Sequence, residues 1–262
     1  MQAACVDGVL VPLAQAVIPV TDDGLLRGDG VFEVMRLYDG VPFAPEHHLE
    51  RLARSARNLR LELDIGDIER DVGALLAVAG VGDALLRVVV TRGGHRIVLV
   101  EPLPVLPEAL ALGYVTFAPV RVLDGVKSLS YAANMHATRL ARERGFDEAL
   151  LVTPHGRVLE LPTASLFWAA GGEVFTPPLS DHILDSITRR IVIEVAGAKE
   201  AATTPADLER AEEAFAASSV YEVMAVGRIE EHDLAAARPI AEATAGKVRA
   251  RIQSELARGG GA

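Results

Sequence analysis

Residues 31–38 read VFEVMRLY, and this stretch decides the architecture of the N-terminal part of the chain. β-Branched and aromatic residues alternate along it, which predicts a strand. An Asp39-Gly40 turn follows, and from Pro45 to Leu61 the apolar residues recur at steps of three and four, which predicts a helix. The change of period indicates that the chain mixes strands with helices.

The segments around this stretch carry the same kinds of signal. AACV, the turn Asp7-Gly8 and VLVPL predict an N-terminal hairpin. A second helix is predicted over residues 67–80, and two strands follow at ALLRVVVTR and RIVLVEPL with Gly93-Gly94 between them. The proline-rich stretch EPLPVLPEAL, residues 101–110, is typical of a linker or a domain edge.

The C-terminal part alternates short strands with helices. The helices are predicted over residues 131–144, over ITRRIVIEVAGA with Asp185 or Ser186 as its N-cap, and from about residue 236 to 257. The strands are predicted at YVTFAPV, EALLVT, GRVLEL, SLFWA, EVFTP, AFAASSV and EVMAVGRI. This pattern predicts an α+β protein of two domains, residues 1–118 and 119–262, with the ligand site in a cleft between them.

Composition excludes several classes of protein. The chain of 262 residues has a net charge of −10 and a pI of about 5.2, so the basic footprint of a nucleic-acid-binding protein is missing. A single cysteine, Cys5, excludes an intrachain disulfide. The apolar N-terminus is interrupted by Asp7, Pro12 and Pro19 and has no basic leader, so we predict neither a signal peptide nor a membrane span. We expect a cytoplasmic protein.

Lys127 is the unusual residue in the stretch DGVKSLSYAANM. Only three of the 26 basic residues are lysines, and the others, Lys199 and Lys247, lie in an alanine-rich segment and a charged helix. A buried lysine can lose its proton and act as a nucleophile, which arginine does not do. Lys127 is therefore either a Schiff-base former at a loop-to-helix junction or a surface lysine beside Asp124.

Three other features supply partners for such a lysine. Glu160 ends an apolar strand, as a solvated residue or as a carboxylate facing a cationic ligand atom. LDSITRR, residues 184–190, is a plain N-cap or a helix start that binds phosphate. Arg51 lies mid-helix among apolar positions and needs an anionic partner. A nucleophilic lysine, a lone carboxylate and a phosphate cup are together what pyridoxal phosphate requires.

The same residues carry a resemblance to the class IV aminotransferases, the family of branched-chain aminotransferases, D-amino-acid aminotransferases and 4-amino-4-deoxychorismate lyases. The similar blocks, in order along the chain, are GLLRGDGVFEVMRLYDGVPF, HLERL, KSLSYAANMHATRLARERGFDEALLVTPHGRVLE, ILDSITRR and AEEAFAASSVYEVMAV. This resemblance implies a two-domain fold-type IV enzyme with pyridoxal phosphate as its cofactor, a small-molecule amino substrate and a homodimeric assembly.

The resemblance also implies roles for individual residues. Lys127 would form the Schiff base, Glu160 would pair with the pyridine nitrogen and Arg51 would bind the phosphate. The remaining residues implied to contact or neighbour the cofactor are Tyr131, Ile187, Thr188 and Ser219.

This chain departs from the family pattern at several positions, which bear on the substrate side. They are Val34 and Ser130, Leu161-Pro162 in place of a small pair, Ser165 in place of asparagine, and Ser186 in place of glycine. Two other motifs carry no prediction of a site. Gly28-Asp29-Gly30 precedes a strand instead of following one, so it is not a dinucleotide loop. The neighbouring His47 and His48 point in different directions on a helix, so no metal site is predicted there.

Two reactions are consistent with the resemblance. A lyase releases pyruvate from 4-amino-4-deoxychorismate and leaves 4-aminobenzoate, and the short chain with its SLFWA and SSVYEV segments favours it. An aminotransferase acting on branched-chain or D-amino acids is the alternative, and in either case Arg92 or Arg96 would bind a substrate carboxylate. A non-enzymatic scaffold of the same fold is disfavoured because Lys127, Glu160 and Arg51 occur together with Thr188.

Overall fold

The computed structural model describes residues 3–259, whose contacts divide between two units. The first unit is the chain up to Val105 together with Gly125–Tyr131, and the second is Leu106–Asp124 together with the chain from Ala132 onward. Helices and sheets occur in both units, which confirms the α+β class. The domain boundary after residue 118 stays a prediction. None of the helices within residues 3–259 has both the length and the apolar composition that crossing a lipid bilayer requires.

The first unit contains a six-stranded antiparallel sheet. Its strands are β1 (Ala3–Val6), β2 (Val9–Pro12), β3 (Gly30–Tyr38), β4 (Val41–Pro42), β5 (Ala84–Thr91) and β6 (Arg96–Glu101). Its helices are α1 (Asp23–Arg27), α2 (Pro45–Asn58) and α3 (Ile65–Ala79). The strand order is β2-β1-β6-β5-β3-β4, so β3 lies near one edge. The predicted N-terminal hairpin is confirmed as β1 and β2.

The ends of the two long helices follow local signals. Pro45 occupies the first turn of α2, where its missing N–H costs no hydrogen bond. The Asp64 side chain caps α3 by accepting from the Gly66 N–H at 2.8 Å. Gly80 ends α3 in the left-handed conformation, with φ of 56°. The two helices predicted in this region are therefore confirmed, with ends displaced by a few residues.

The alternation along β3 determines which side chains enter the core of the first unit. Val31, Met35 and Leu37 are buried and belong to a cluster that also contains residues of α2 and α3. Glu33 lies at the same parity and is completely buried, whereas Phe32 belongs to the opposite face of the strand. A carboxylate is thus placed inside an apolar core.

The second unit is built on eight strands and four helices. The strands are β7 (Leu110–Thr116), β8 (Glu148–Val152), β9 (Ser165–Ala170), β10 (Glu173–Thr176), β11 (Lys199–Glu200), β12 (Glu213–Ser218), β13 (Glu222–Ile229) and β14 (His232–Asp233). The helices are α4 (Ala132–Glu143), α5 (Ile187–Ala196), α6 (Pro205–Leu208) and α7 (Pro239–Gly259). The order is β11-β10-β9-β12-β13-β7-β8, with β14 beside β13. β7 runs parallel to both of its neighbours, β8 and β13.

The strand predicted at GRVLEL, residues 156–161, is wrong. The Leu159 N–H donates to the Leu151 carbonyl at 2.9 Å, and the Leu151 N–H donates to the Glu160 carbonyl at 3.0 Å. Two successive residues thus oppose one residue of β8, which is the pattern of a β-bulge and interrupts the ladder. Pro162 lacks an N–H and prevents the ladder from continuing. The segment therefore pairs irregularly and places Glu160 at the bulge.

Candidate active site

Lys127 is held by its backbone against the start of β3. Its N–H donates to the Ser55 Oγ of α2 at 3.1 Å, and its carbonyl accepts from the Phe32 N–H at 3.1 Å. Two residues later, the Leu129 N–H donates to the Gly30 carbonyl at 2.9 Å. The chain on both sides of the lysine is therefore fixed to α2 and β3, and the side chain extends from a defined point.

The Lys127 amine lies over two aromatic rings. Its Nζ is 4.4 Å from the centre of the Phe32 ring and 5.8 Å from the centre of the Tyr131 ring. The two rings contact each other edge to face, with centres 5.4 Å apart. Such contacts hold a cationic amine in place. The structure thus brings Tyr131 and Lys127 together, as expected for two residues of one site.

Arg51 forms part of a buried group with two residues that sequence analysis missed. Its Nε donates to Glu33 Oε1 and its Nη2 donates to Glu33 Oε2, both at 2.7 Å. The Nδ1 of His48 lies 2.8 Å from the same Oε2. The three residues are exposed by 5% or less. Arg51 therefore has an anionic partner within its own unit, as a buried guanidinium requires.

The protonation states of this group follow from its contacts. Burial alone would raise the pKa of Glu33, but the charge of Arg51 and the hydrogen bonds from Arg51 and His48 lower it to about 2. Burial lowers the pKa of His48, and the nearby positive charges of Arg51 and Lys127 act in the same direction. Near neutral pH, Glu33 is thus ionised and His48 is neutral, so His48 Nδ1–H donates to the carboxylate.

We expect this group to make the protein less stable in acid. A depressed pKa stabilises the fold above the pKa of the unfolded chain, and that contribution is lost as the pH falls towards the folded pKa. The shift of Glu33 from 4.5 to about 2 corresponds to about 3 kcal/mol of unfolding free energy. His48 also lowers the free energy of unfolding as the pH falls below 6.5, because the unfolded chain binds a proton at this ordinary pKa and the folded protein binds it only at lower pH.

Urea unfolding at a series of pH values measures this effect. The free energy of unfolding should fall from about pH 6.5 downward, and His48→Asn should flatten the upper part of that fall because asparagine does not titrate. Equal pH profiles for the two proteins between about pH 6.5 and pH 4.5 would contradict the assignment of His48.

Glu160 lies at the bulge and is held by the segment that leads into α5. Its Oε1 accepts from the Leu184 N–H at 2.9 Å. A hydrogen bond from a backbone N–H stabilises the charged form of a carboxylate. The structure therefore brings Glu160 and the start of the LDSITRR segment together within the second unit.

The N-terminus of α5 has the features expected of an anion site. Ser186 is the N-cap, and its Oγ accepts from the Arg189 N–H at 3.3 Å. Ile187 and Thr188 form the first turn and are buried. The first N–H groups of a helix have no partner within the helix, and the helix dipole adds positive potential there. This geometry is suited to a phosphate, and of the two predicted N-caps it selects Ser186.

The two serines after β12 have different surroundings. Ser218, the last residue of β12, uses its Oγ to accept from the Tyr221 N–H at 3.1 Å, so this hydroxyl supports the turn. Ser219, which the resemblance assigns to the phosphate, is half-buried and follows immediately. Its role stays a prediction.

The departures after Glu160 have a local structural role. The Leu161 N–H donates to the Ala164 carbonyl at 2.9 Å, which closes a tight turn. The Pro162 carbonyl accepts from Asn134 Nδ2 of α4 at 3.3 Å. The Ser165 Oγ is buried and makes no hydrogen bond with residues 3–259. Leu161-Pro162 thus fastens the turn after Glu160 to α4.

Arg92 and Arg96, predicted to bind substrate, are both paired with carboxylates. Arg92 donates to both oxygens of Asp29, at 3.0 and 3.1 Å, and also to two backbone carbonyls. Arg96 donates to Asp71 at 2.8 Å and lies 3.3 Å from Asp67. Their charges are therefore compensated within the first unit. Binding of a substrate carboxylate by either arginine stays a prediction.

Arg92 also borders a cavity of about 270 Å³ in the first unit. Its lining residues are Pro19, Thr21, Asp22, Asp23, Arg92, Gly93 and His95. Neither Lys127 nor Arg51 lines it, so this cavity is separate from the surroundings of the Lys127 amine.

Arg87 is an arginine that sequence analysis overlooked. It lies in β5 opposite Val34, and its guanidinium carbon is 5.7 Å from the centre of the Phe32 ring. Its Nε donates to Glu101 at 2.9 Å. The Lys127 amine contacts the same Phe32 ring, so this amine and the Arg87 guanidinium share one neighbour. A charged residue inside the apolar strand ALLRVVVT was the signal that could have identified it.

The side chains of the two units include the chemical groups that bind pyridoxal phosphate. The first unit offers an amine held over aromatic rings and a buried guanidinium, and the second offers a carboxylate and a helix N-terminus. These are the groups that its aldehyde, phosphate and pyridine nitrogen require. Within residues 3–259, no group of three or more His, Cys, Asp or Glu side chains is arranged to hold a metal ion.

Comparison with known proteins identifies a family that this chain resembles. Residues 30–229 match the family model described as amino-transferase class IV. An aminodeoxychorismate lyase of Bacillus subtilis is 32% identical over 252 residues, covering 86% of each chain. A protein of Methanocaldococcus jannaschii, provisionally assigned as a branched-chain-amino-acid aminotransferase, is 34% identical over 249 residues, again covering 86% of each.

The fold also matches that of solved enzymes. A hypothetical aminotransferase from Mycobacterium tuberculosis, solved with α-ketoglutarate and PMP bound, aligns with a TM-score of 0.89 at 28% identity, over 96% of this chain and 99% of that one. Its PLP-bound form aligns with a TM-score of 0.88.

Proposed function

Because the chain belongs to the class IV aminotransferase family, we propose that it is a lyase converting 4-amino-4-deoxychorismate to 4-aminobenzoate and pyruvate. It is an enzyme with pyridoxal phosphate as its cofactor. The choice of reaction and the roles of individual residues are our assignments. The lyase relative from B. subtilis supports the choice.

When bound, pyridoxal phosphate supplies an aldehyde that links to an amine and a conjugated ring that delocalises negative charge from the substrate carbon. Lys127 is assigned to the aldehyde and to proton transfer. Glu160 is assigned to the pyridine nitrogen, where a carboxylate keeps that atom protonated. The residues assigned to bind the phosphate are Arg51, Ile187, Thr188 and Ser219, and Tyr131 is assigned a place beside the cofactor.

The lyase reaction requires one proton carrier near the substrate amine. Lys127 Nζ takes the proton from the ring carbon that bears this amine, and the C–O bond to the enolpyruvyl group breaks. The departing enolpyruvate takes up a proton and becomes pyruvate, while the ring is left aromatic. One lysine is sufficient for the proton removal, and the contacts of Lys127 with Phe32 and Tyr131 hold it in place.

The observation that carries the proposal is the sheet face beside Lys127. Arg36 and Arg87 lie on the same face of the first sheet as Phe32, because residues opposite each other in register share a face. Arg87 pairs with Glu101 and Arg36 Nη2 lies 3.7 Å from Asp83, so a substrate carboxylate would exchange with these partners to bind the two guanidinium groups on this face. 4-Amino-4-deoxychorismate carries an amine and two carboxylates, which matches this arrangement.

Transamination of an amino acid is the second candidate. The M. jannaschii relative supports it, as does the α-ketoglutarate in the M. tuberculosis structure, because a dicarboxylate also suits Arg36 and Arg87. Pyridoxal phosphate, when bound, would accept the amino group of the substrate, and Lys127 would be the residue that carries the proton. Water would then release the carbon skeleton of the substrate as a keto acid.

A pair of assays separates the two reactions. We expect pyruvate from 4-amino-4-deoxychorismate in the absence of any amino acceptor, measured by coupling to lactate dehydrogenase. In parallel, the enzyme is offered a panel of L- and D-amino acids with 2-oxoglutarate, and keto-acid formation is followed. Turnover confined to the amino-acid panel would overturn the lyase assignment and leave the aminotransferase.

We also propose that the enzyme is a homodimer. Several large apolar side chains of the first unit are exposed by more than half, namely Val17, Val20, Leu25 and Leu26. A contiguous patch of exposed apolar side chains is typical of a protein interface, and these four residues lie within one ten-residue stretch of the chain. Sedimentation equilibrium should give twice the 27.8 kDa of one chain, and a mass of 27.8 kDa at micromolar concentration would refute the dimer.

A further inference from the structure

We propose that Glu33 and His48 are positioning residues that orient the Arg51 guanidinium for the cofactor phosphate. This inference rests on the assignment of Arg51 to the phosphate proposed above. Glu33 and His48 do not contact the cofactor in this proposal and act only through Arg51. Neither residue has a role in the function described so far.

The first support is the geometry of the pair. Glu33 accepts from both Nε and Nη2 of Arg51 at 2.7 Å, so the carboxylate lies against one whole edge of the guanidinium. A planar group held at two points cannot rotate about its own axis or swing about the end of its side chain. Its opposite edge is consequently aimed in one direction. When two N–H donors of Arg51 bind a phosphate, a guanidinium that is already fixed loses less conformational entropy than a mobile one.

The second observation is the negative charge of Glu33, which separates an orienting role from an electrostatic one. Glu33 is completely buried and stays ionised, so it partly cancels the positive charge that Arg51 would offer to a phosphate. A residue that served only the electrostatic attraction of phosphate would not be an anion. If Glu33 favours phosphate binding, it must therefore do so by orienting Arg51. A positioning role predicts weaker cofactor binding when the Glu33 charge is removed, whereas a purely electrostatic effect predicts tighter binding.

His48 completes the restraint on the carboxylate. Its Nδ1–H donates to Glu33 Oε2 at 2.8 Å, the same oxygen that accepts from Arg51 Nη2. With Arg51 Nε, the carboxylate receives three N–H donors beside a cluster of apolar side chains. Three donors fix the plane of the carboxylate, which in turn fixes the plane of the guanidinium. His48 is thus the outer member of a chain that ends at Arg51.

The test measures cofactor affinity and not only activity. The full chain is freed of pyridoxal phosphate, retitrated with it, and followed by the visible absorption of the bound cofactor, while ³¹P NMR reports the environment of the bound phosphate. Glu33→Asp keeps the charge and withdraws the carboxylate by one methylene. We expect it to weaken cofactor binding by about 10- to 100-fold, the range typical of partners that orient a ligating group, and to shift the ³¹P resonance.

His48 supplies a matched pair of variants. The amide nitrogen of His48→Asn replaces Nδ1 as a donor, so we expect affinity close to that of the wild type. His48→Leu has no donor, so we expect a loss of affinity in the same direction as Glu33→Asp. Rescue by asparagine but not leucine identifies the hydrogen bond as the cause, and this pair decides the question if Glu33→Asp fails to fold.

Three further variants separate the possible failures. Asp71→Asn removes another buried carboxylate that pairs with an arginine, Arg96, in the same unit, and it should leave the cofactor affinity unchanged. Arg51→Lys should weaken cofactor binding. If it does so while Glu33→Asp and His48→Leu bind as the wild type does, the positioning role is wrong and the phosphate assignment stands. If Arg51→Lys binds normally, the phosphate assignment itself fails. Tighter binding by Glu33→Gln would show an electrostatic effect and refute positioning.

Discussion

Replacing Lys127 with alanine is expected to lower kcat by about 10⁴-fold or more, because the group that links to the cofactor and the group that carries the proton are lost together. The surroundings of the amine support this expectation. Its backbone is bound to Ser55 and Phe32, and its Nζ lies over the Phe32 and Tyr131 rings. The other two lysines, Lys199 and Lys247, belong to the second unit, so the first unit holds no other lysine that could replace it.

The spectrum of the purified protein provides an independent measurement. The wild type should be yellow, and Lys127→Ala should lose the absorption band of the lysine-linked cofactor. Lys127→Arg keeps the charge but not a titratable amine, so it should lose the band as well. Lys199→Ala is the matched control, because Lys199 is 60% exposed and pairs with Glu173 on the surface. A Lys127→Ala protein with an intact band, or with a tenth of wild-type turnover, would contradict the assignment.

Much of the fold could be predicted from the sequence because the deciding signals are local. The alternation in VFEVMRLY, the steps of three and four in α2 and the glycine after α3 each act within a few residues. The strand predicted at YVTFAPV begins earlier, at Leu110, because pairing with β8 and β13 extends it. The bulge at Leu159 and Glu160 was missed for the same reason, since it depends on pairing with β8.

The residues of the candidate site likewise differ in whether a sequence signal identified them. Lys127 was found because lysine is rare in this chain, Glu160 because it ends an apolar strand, and the LDSITRR segment because it opens a helix, while the family resemblance implied their specific roles. Glu33 and His48 were missed because their importance comes from a contact between β3 and α2, which no local pattern encodes. Glu33 did carry one signal, since it occupies an inward position of an alternating strand. A carboxylate at such a position requires a buried cationic partner, and Arg51 is that partner.

Glu160 is the residue for which we expect the second large effect. A carboxylate beside the pyridine nitrogen keeps that nitrogen protonated, and a protonated ring withdraws electrons from the substrate carbon more strongly. Glutamine has the same size but no negative charge, so Glu160→Gln removes this support while it preserves the shape of the site. The Leu184 N–H, which donates to Glu160 Oε1 at 2.9 Å, can still donate to the amide oxygen. The loss should therefore be chemical and not structural.

We expect Glu160→Gln to lower kcat by about 10²- to 10³-fold, the range of a lost preorganised electrostatic contact. Because the phosphate is assigned to other residues, the affinity for the cofactor should change far less than kcat. Glu148→Gln is the matched control within the same unit. Glu148 is a buried carboxyl group that accepts from backbone and side-chain donors, the Ala149 N–H and Thr138, and burial raises its pKa, but it is assigned no contact with the cofactor. Steady-state kinetics and cofactor titration of both variants provide the comparison. Equal kcat values for Glu160→Gln and Glu148→Gln would exclude a role for the Glu160 charge in catalysis.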